Sequence, residues 1–188
     1  LQIDSARCLI RAADVTRQSE ARELCAAVDA AFGRIDVVLN LAGGFRMAEL
    51  ADTSEEAWDF LLNLNARSVY NLAVAAAPYM KRQRRGCMVN VGSRAALKGD
   101  KNVGVYAASK AAVVRLTESL AAELLEHNVR VNCILPSTLD TAANRQAMPD
   151  VDPAKWVTPE SIGEVLLFLT SSAARDISGA AIPIYGRA

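Results

Sequence analysis

Short apolar runs alternate with longer amphipathic stretches along almost the whole chain. The short runs are continuous and rich in Val, Ile and Leu, which is typical of strands that are buried on both faces of a parallel sheet. They cover residues 7–15, 35–44, 87–93, 129–135 and 180–186, and the predicted helices cover residues 19–33, 54–86, 105–128 and 158–174. This alternation predicts an α/β fold with a Rossmann-like, doubly wound parallel sheet.

Residues at the ends of the predicted helices support this division. Ser54 and Thr158 carry hydroxyls that can cap a helix, and acidic residues that suit a helix N-terminus follow both. Gly86 and Asn128 follow basic residues, and both residue types commonly end helices. We therefore expect two of the helices to begin after Ser54 and Thr158, and two to end at Gly86 and Asn128.

Length and charge limit the classes of function. The 188 residues, 52% of them hydrophobic, fit one domain with a full core, so we predict a single domain over 1–188. Lysine plus arginine and aspartate plus glutamate number 21 each, so no net charge attracts nucleic acid or an anionic membrane. Small molecules are the expected partners.

Cysteine usage and apolar patterning predict a cytoplasmic protein. No apolar stretch is long enough to span a bilayer, and the first residues do not read as a secretion signal. The cysteines are widely spaced, which argues against a zinc site and favours buried, reduced thiols. They are Cys8, Cys25, Cys87 and Cys133.

The stretch VYAASKAAV at 105–113 carries the first sign of chemistry. Tyr106 and Lys110 are four residues apart and share one helix face, an arrangement that an ordinary helix with a packed tyrosine also explains. Ser93 ends the preceding strand, so all three can face one crevice at the carboxyl ends of the strands. A lysine cation about 5 Å from the phenol would favour its ionised form by roughly 3 kcal/mol, lower its pKa and make Tyr106 a general acid/base.

Five motifs in order then resemble the short-chain dehydrogenase/reductase family. They are DVT at 14–16, NLAG at 40–43, VGS at 91–93, YAASK at 106–110 and RVNCILPS at 130–137. The resemblance covers about Arg7 to Gly186. It implies that Tyr106 is the catalytic acid/base, that Lys110 lowers its pKa and holds the nicotinamide ribose, and that Ser93 orients the substrate. It also implies that Asn65 kinks its helix and holds a water in a proton relay to the lysine.

The resemblance further implies contacts to a dinucleotide cofactor, NAD or NADP. The positions expected near its adenosine half are Asp14, Val15, Asn40, Ala42 and Gly43. The positions expected near its nicotinamide half are Gly92, Tyr106, Lys110, Pro136, Leu139 and Thr141. Four further residues are candidates to line the substrate pocket or to serve only in packing: Arg94, Asn144, Met148 and Trp156.

The chain departs from the family pattern in three ways. The glycine-rich T-G-x-x-x-G-x-G turn that holds the pyrophosphate is absent, so the N-terminal βαβ portion of the fold is expected to be missing. Leu41 and Ser137 replace the usual Asn and Gly, and Ser137 would disfavour a positive φ. The segment 136–156 is instead similar to dihydropteridine reductases, although those enzymes lack the serine that Ser93 supplies.

We therefore predict an NAD(P)-dependent oxidoreductase that interconverts a carbonyl and an alcohol, with quinonoid dihydropterin reduction as a minority alternative. A non-enzymatic structural or regulatory subunit with a degenerate nucleotide crevice is the rival from another class. No metal is expected. The alanine-rich helices predicted at 57–80 and 104–127 are apolar around more than one stripe, which favours a homodimer or homotetramer.

Overall fold

Four parallel strands organise the chain in the computed structural model, which describes residues 8–187. They are β1 (Val37–Asn40), β2 (Gly86–Val91), β3 (Val129–Pro136) and β4 (Ala181–Ile184), and they lie side by side in that order. Each strand pairs in parallel with the next. Because parallel neighbours need a crossover connection, every link between them carries at least one helix.

Helices cover both faces of this sheet, as a doubly wound fold requires. They are α1 (Gln18–Phe32), α2 (Glu55–Leu61), α3 (Ser68–Gln83), α4 (Gly104–Leu124), α5 (Ala142–Ala147) and α6 (Pro159–Thr170). Met88 of β2 and Val131 of β3 join a buried core with α1, α3 and α4. Val89 and Ile134, on the alternate positions of the same strands, pack with α6 on the opposite face. The predicted parallel α/β architecture is confirmed.

Three of the four predicted helix boundaries are confirmed by their cap geometry. The hydroxyl of Ser54 accepts a hydrogen bond from Ala57 N–H at 3.2 Å, and that of Thr158 accepts one from Ser161 N–H at 3.2 Å. Asn128 ends the α4 segment in the left-handed conformation, with a φ of 58°.

The predicted helix end at Gly86 is wrong. The helix ends at Gln83, and Arg84 adopts the left-handed conformation instead. Gly86 is the first residue of β2, and a Cβ at this position would lie 2.5 Å from the sulfur of Met80, which is fully buried. The glycine is therefore required for close packing of helix against strand.

The single helix predicted over 54–86 is interrupted. A π-helical turn, Leu62–Arg67, separates α2 from α3. Turns of this kind are rare inside α-helices and often mark functional sites. In contrast, α5 lies in a segment that the sequence predicts to be only a loop.

The predicted strand over 7–15 is wrong for its described part, because Cys8–Asp14 forms no strand. Arg7, the first residue of that prediction, lies outside the described residues. A strand needs a neighbouring ladder of backbone hydrogen bonds, and none of residues 8–187 provides one for this segment. Its Ile10 is 87% exposed. β1 is correspondingly an edge strand of the described sheet, and Val37 and Leu39 are 41% and 40% exposed.

Cys25, Cys87 and Cys133 are buried and Cys8 is half-buried, all as free thiols. Over residues 8–187 no helix combines the length and the apolar character needed to cross a membrane.

Candidate active site

A cavity of about 530 Å³ lies at the carboxyl ends of β2 and β3. It is lined by seven of the residues that the sequence assigns to chemistry or to the cofactor: Gly43, Gly92, Ser93, Tyr106, Lys110, Pro136 and Leu139. Arg94, Asn144 and Met148, predicted as pocket candidates, line it as well. Trp156 does not line it and is buried in the core. The fold therefore brings the Ser, Tyr and Lys side chains to one concave surface.

Ser93 is positioned by the turn that follows β2. Its hydroxyl accepts a hydrogen bond from Ala95 N–H at 3.2 Å and so caps the short 3₁₀ turn Arg94–Ala96. The same hydroxyl interacts with the phenol of Tyr106 in the first turn of α4. The end of β2 and the start of α4 thus present two hydroxyls to the same cavity.

Burial raises the pKa of Tyr106, although the hydrogen bond with Ser93 opposes this effect. This direction is opposite to the lowering that the sequence predicts. The main cause is the loss of solvation around the phenol. The ammonium nitrogen of Lys110 donates a hydrogen bond to the carbonyl oxygen of Val91 at 2.9 Å. Its charge is held at the end of β2, while the half-buried phenol loses solvation.

Lys110 is itself buried, and this burial lowers its pKa from 10.5 to about 8. The nearby thiol of Cys133 acts in the other direction on the pKa of Lys110. Burial also raises the pKa of Cys133 to about 11, so this thiol stays protonated at neutral pH. A lysine with such a pKa changes its protonation close to physiological pH.

Asn65 lies in the π-helical turn, where the sequence predicts a kink, and it connects three elements. Its side-chain oxygen accepts a hydrogen bond from Gly44 N–H at 2.8 Å, and its side-chain nitrogen donates to Gly44 C=O at 3.0 Å. The same nitrogen donates to the hydroxyl of Ser109 at 2.9 Å. Ser109 in turn donates to the carbonyl oxygen of Tyr106 at 2.7 Å. The π-helical turn, the loop after β1 and helix α4 therefore meet at one amide.

Other predicted cofactor residues do not line this cavity. Asp14 is exposed, and its carboxylate accepts hydrogen bonds from the backbone N–H and the hydroxyl of Thr16 at 3.0 and 2.6 Å. These bonds are the main cause of its lowered pKa. The carbonyl of Val15 accepts a hydrogen bond from Asn71 at 3.0 Å. The hydroxyl of Thr141 caps α5 by accepting from Asn144 N–H. The adenine and carboxamide roles stay predictions.

Asn40 is buried in a chain of polar side chains instead of facing the cavity. Its side-chain nitrogen donates to Asn90 at 2.6 Å, and Asn90 donates to the hydroxyl of Thr117 at 2.8 Å. Among the described residues nothing donates to the side-chain oxygen of Asn40. Ala42 is exposed beside it. Their predicted place near the adenosine ribose is untested.

Sequence reasoning missed several residues of the site. Phe45 packs edge-to-face on the ring of Tyr106, with ring centroids 4.8 Å apart and an interplanar angle of 87°. Ser109 lies three residues after Tyr106, and its hydroxyl accepts a hydrogen bond from the side chain of Asn65. Met47 and Val103 also line the cavity. Phe45 could have been predicted as a site residue from its position directly after a Gly-Gly pair at the end of a strand.

The cavity combines the Lys110 ammonium and the hydroxyls of Ser93 and Tyr106 in a volume of about 530 Å³, a lining that suits the ribose and nicotinamide of a dinucleotide. A Cβ at Gly43 would lie 3.2 Å from the ammonium nitrogen of Lys110, and one at Gly92 would lie 2.6 Å from Leu135. Both glycines therefore allow the backbone to pack closely against these side chains. Ser137 causes no backbone strain, since its φ is not positive.

Comparison with known proteins identifies the family. A family model described as enoyl-(acyl carrier protein) reductase matches residues 2–186. The 3-oxoacyl-[acyl-carrier-protein] reductase of Thermotoga maritima is 35% identical over 181 residues, which cover 92% of this chain and 74% of that protein. The chain belongs to the short-chain dehydrogenase/reductase family.

Two further relatives agree. Dehydrogenase/reductase SDR family member 6 of Aquarana catesbeiana is 36% identical over 191 residues, covering 94% of this chain and 76% of that protein. The crystal structure of an NAD⁺-bound xylitol dehydrogenase superposes with a TM-score of 0.86 and 27% identity, covering 94% of this chain and 77% of the other. None of these three relatives is a dihydropteridine reductase, so that resemblance stays a prediction.

The burial of Lys110 predicts a measurable effect on stability. Its pKa is 10.5 when unfolded and about 8 when folded, so the stability lost by burying the cation grows as pH falls from 10.5 to 8. Lys110→Met keeps the apolar stem, and it is expected to raise the free energy of unfolding at pH 7 by roughly 1–3 kcal/mol. The difference between variant and wild type should shrink by about 1 kcal/mol from pH 7 to pH 9.

Urea unfolding of wild type, Lys110→Met and the exposed-site control Lys98→Met at both pH values checks this. A Lys110→Met protein that is less stable than wild type at pH 7, with no pH dependence of the difference, would contradict it.

Proposed function

We propose that this chain is an NAD(P)-dependent oxidoreductase that interconverts a carbonyl and an alcohol. The observation that carries the proposal is the convergence of Ser93, Tyr106 and Lys110 on one cavity at the carboxyl ends of the strands. Open α/β sheets bind their ligands in this position. Membership of the short-chain dehydrogenase/reductase family supports the same class of reaction.

Tyr106 would transfer the proton in the reaction. In the direction of reduction, the substrate carbonyl oxygen accepts hydrogen bonds from the hydroxyls of Ser93 and Tyr106. As negative charge develops on that oxygen, the phenol proton moves to it, and Ser93 keeps the oxygen in place. The raised pKa of Tyr106 keeps the phenol protonated at neutral pH, which is the state that reduction requires.

The cofactor would be held by residues beside these hydroxyls. When bound, NAD or NADP supplies the hydride that no protein side chain can supply. Gly92, Pro136 and Leu139 line the cavity and would contact the nicotinamide half, and Lys110 would donate hydrogen bonds to its ribose. The related xylitol dehydrogenase has NAD⁺ bound, while the choice between NAD and NADP in this chain is left to a titration with both.

Lys110 would also favour ionisation of Tyr106 when alcohol is oxidised. In that direction the phenolate must take up a proton, and a nearby cation stabilises it. With a pKa of about 8, the lysine carries this charge below that pH. Oxidation is therefore expected to depend on a charge that Lys110 loses as pH rises through about 8.

The alternatives have less support. A non-enzymatic subunit would not need Ser93, Tyr106 and Lys110 in one cavity, and the named relatives are reductases and dehydrogenases. Reduction of a quinonoid dihydropterin remains a minority substrate alternative, since it rests on the similarity of 136–156 alone. We also infer a cytoplasmic location, from the free cysteines.

Assembly into a homodimer or homotetramer is the second part of the proposal. The face of α4 that carries Ala108, Arg115, Ser119 and Ala122 is exposed, and three of these four side chains are small. Such a face allows a helix of a second copy to approach closely. We expect the wild type to show the mass of a dimer or tetramer by size-exclusion chromatography with light scattering.

Ser119→Arg should shift that mass toward the monomer, because a large charged side chain blocks the close approach. Gln146→Arg, on the exposed surface of α5, should leave the mass unchanged. A wild type that is monomeric at high micromolar concentration would contradict the assembly.

Tyr106→Phe tests the proton transfer. The variant should reduce kcat for carbonyl reduction by roughly 10²- to 10⁴-fold, because it removes the phenol that would donate the proton. Binding of NAD(P)H, followed by fluorescence titration, should be nearly unchanged. Tyr70→Phe, on the exposed side of α3, serves as the matched control and should keep full activity. An undiminished kcat in Tyr106→Phe would refute the mechanism.

A further inference from the structure

The loop that carries Phe45 is fixed on both sides of that residue. Asn65 binds both the N–H and the C=O of Gly44, at 2.8 and 3.0 Å. A Cβ at Gly44 would lie 2.7 Å from the ring of Phe60, so only glycine fits between the loop and that ring. On the other side, the guanidinium carbon of Arg46 lies 4.6 Å from the centroid of the Phe60 ring. The backbone therefore determines where the Phe45 ring lies.

Phe45 lies beside the proposed catalytic tyrosine and lines the same cavity. Its ring packs edge-to-face on Tyr106 at 4.8 Å, which is a favourable geometry for two aromatic rings. Even so, 55% of Phe45 is exposed, and it lines the cavity that Ser93 and Lys110 also line. A large aromatic surface is thus left uncovered within the site.

Polar and apolar side chains both line the cavity. The hydroxyls of Ser93 and Tyr106 can hold the reacting oxygen, and Arg94, Ser137, Thr138 and Asn144 are further polar residues of the lining. Phe45, Met47 and Met148 supply apolar surface in the same cavity. Apolar contacts of this kind contribute binding energy in proportion to the area that a ligand covers.

We propose that Phe45 is a specificity-determining residue that selects carbonyl substrates with an apolar substituent, aromatic or branched aliphatic, on the carbonyl carbon. This inference rests on the proposed function and adds the substrate class to it. The substituent covers the exposed surface of Phe45 while the carbonyl oxygen reaches Ser93 and Tyr106. Small ketones leave that surface in water and are poorer substrates.

Steady-state reduction of three probe ketones by the full-length protein tests the proposal. The probes are acetophenone with an aryl group, butanone as a small ketone, and acetoacetate with a charged group. The wild type is expected to prefer acetophenone to both others in kcat/KM. In Phe45→Ala the preference for acetophenone over butanone should fall by roughly 10- to 100-fold, and in Phe45→Leu by less.

Phe168→Ala is the matched control, since Phe168 is 45% exposed on α6 and does not line the cavity. It should leave the preference unchanged. An unaltered preference in Phe45→Ala would overturn the proposal, as would a wild type that prefers butanone or acetoacetate. Because the result is a ratio within one variant, a general loss of activity from disturbing Tyr106 does not affect it.

A measurement of acetophenone binding distinguishes a wrong assignment of Phe45 from a wrong proposed function. If the wild type reduces no ketone, the function fails, and acetophenone binding to the wild type and both alanine variants is then measured by saturation-transfer NMR. Weaker binding to Phe45→Ala alone would still support an apolar site at Phe45. Equal binding to all three proteins would overturn it.

Discussion

The buried side-chain amide of Asn65 is the interaction on which the rest of the site depends. It is 0% exposed and makes hydrogen bonds with the backbone of Gly44 and with the hydroxyl of Ser109. Losing one of these partners would leave a buried polar group unsatisfied, at a cost of about 1–3 kcal/mol. Asn65 lies in the π-helical turn. Its amide reaches from this turn to α4 and to the loop after β1. One residue therefore connects α4 to the loop that carries Phe45.

The second constraint is the close packing of the backbone against side chains in the loop after β1 and at the end of β2. Gly44 lies against the ring of Phe60, and Gly92 lies against Leu135 and the thiol of Cys133. Side chains at these positions would push the loop or the end of β2 outward. Lys110 reaches the carbonyl of Val91 beneath this crevice, and its burial gives it the lowered pKa that defines the electrostatics of the site.

Features that depend on neighbouring residues in the chain, such as strands and helix starts, could be predicted from the sequence. The continuous apolar runs predicted β2 and β3, and the hydroxyls of Ser54 and Thr158 predicted where two helices begin. The spacing of the motifs predicted that Ser93, Tyr106 and Lys110 converge. The segment 8–14 was predicted as a strand because its composition suits one, yet a strand also needs a partner ladder. The prediction for the pKa of Tyr106 has the wrong direction because this pKa depends mainly on burial of the phenol, which helical spacing does not specify. The contacts of Asn65 with Ser109 and of Phe45 with Tyr106 join residues far apart in the chain, and no spacing rule specifies them.

Hydride transfer is tested by following the hydride itself. Full-length protein is incubated with NAD(P)H that carries deuterium at both hydrogen positions of the nicotinamide C4, together with a panel of aliphatic and aryl ketones, and the alcohols are analysed by mass spectrometry. The expected product is an alcohol with one deuterium on the carbinol carbon and a hydroxyl proton from solvent. Deuterium that never appears on the carbinol carbon of any product would contradict hydride transfer.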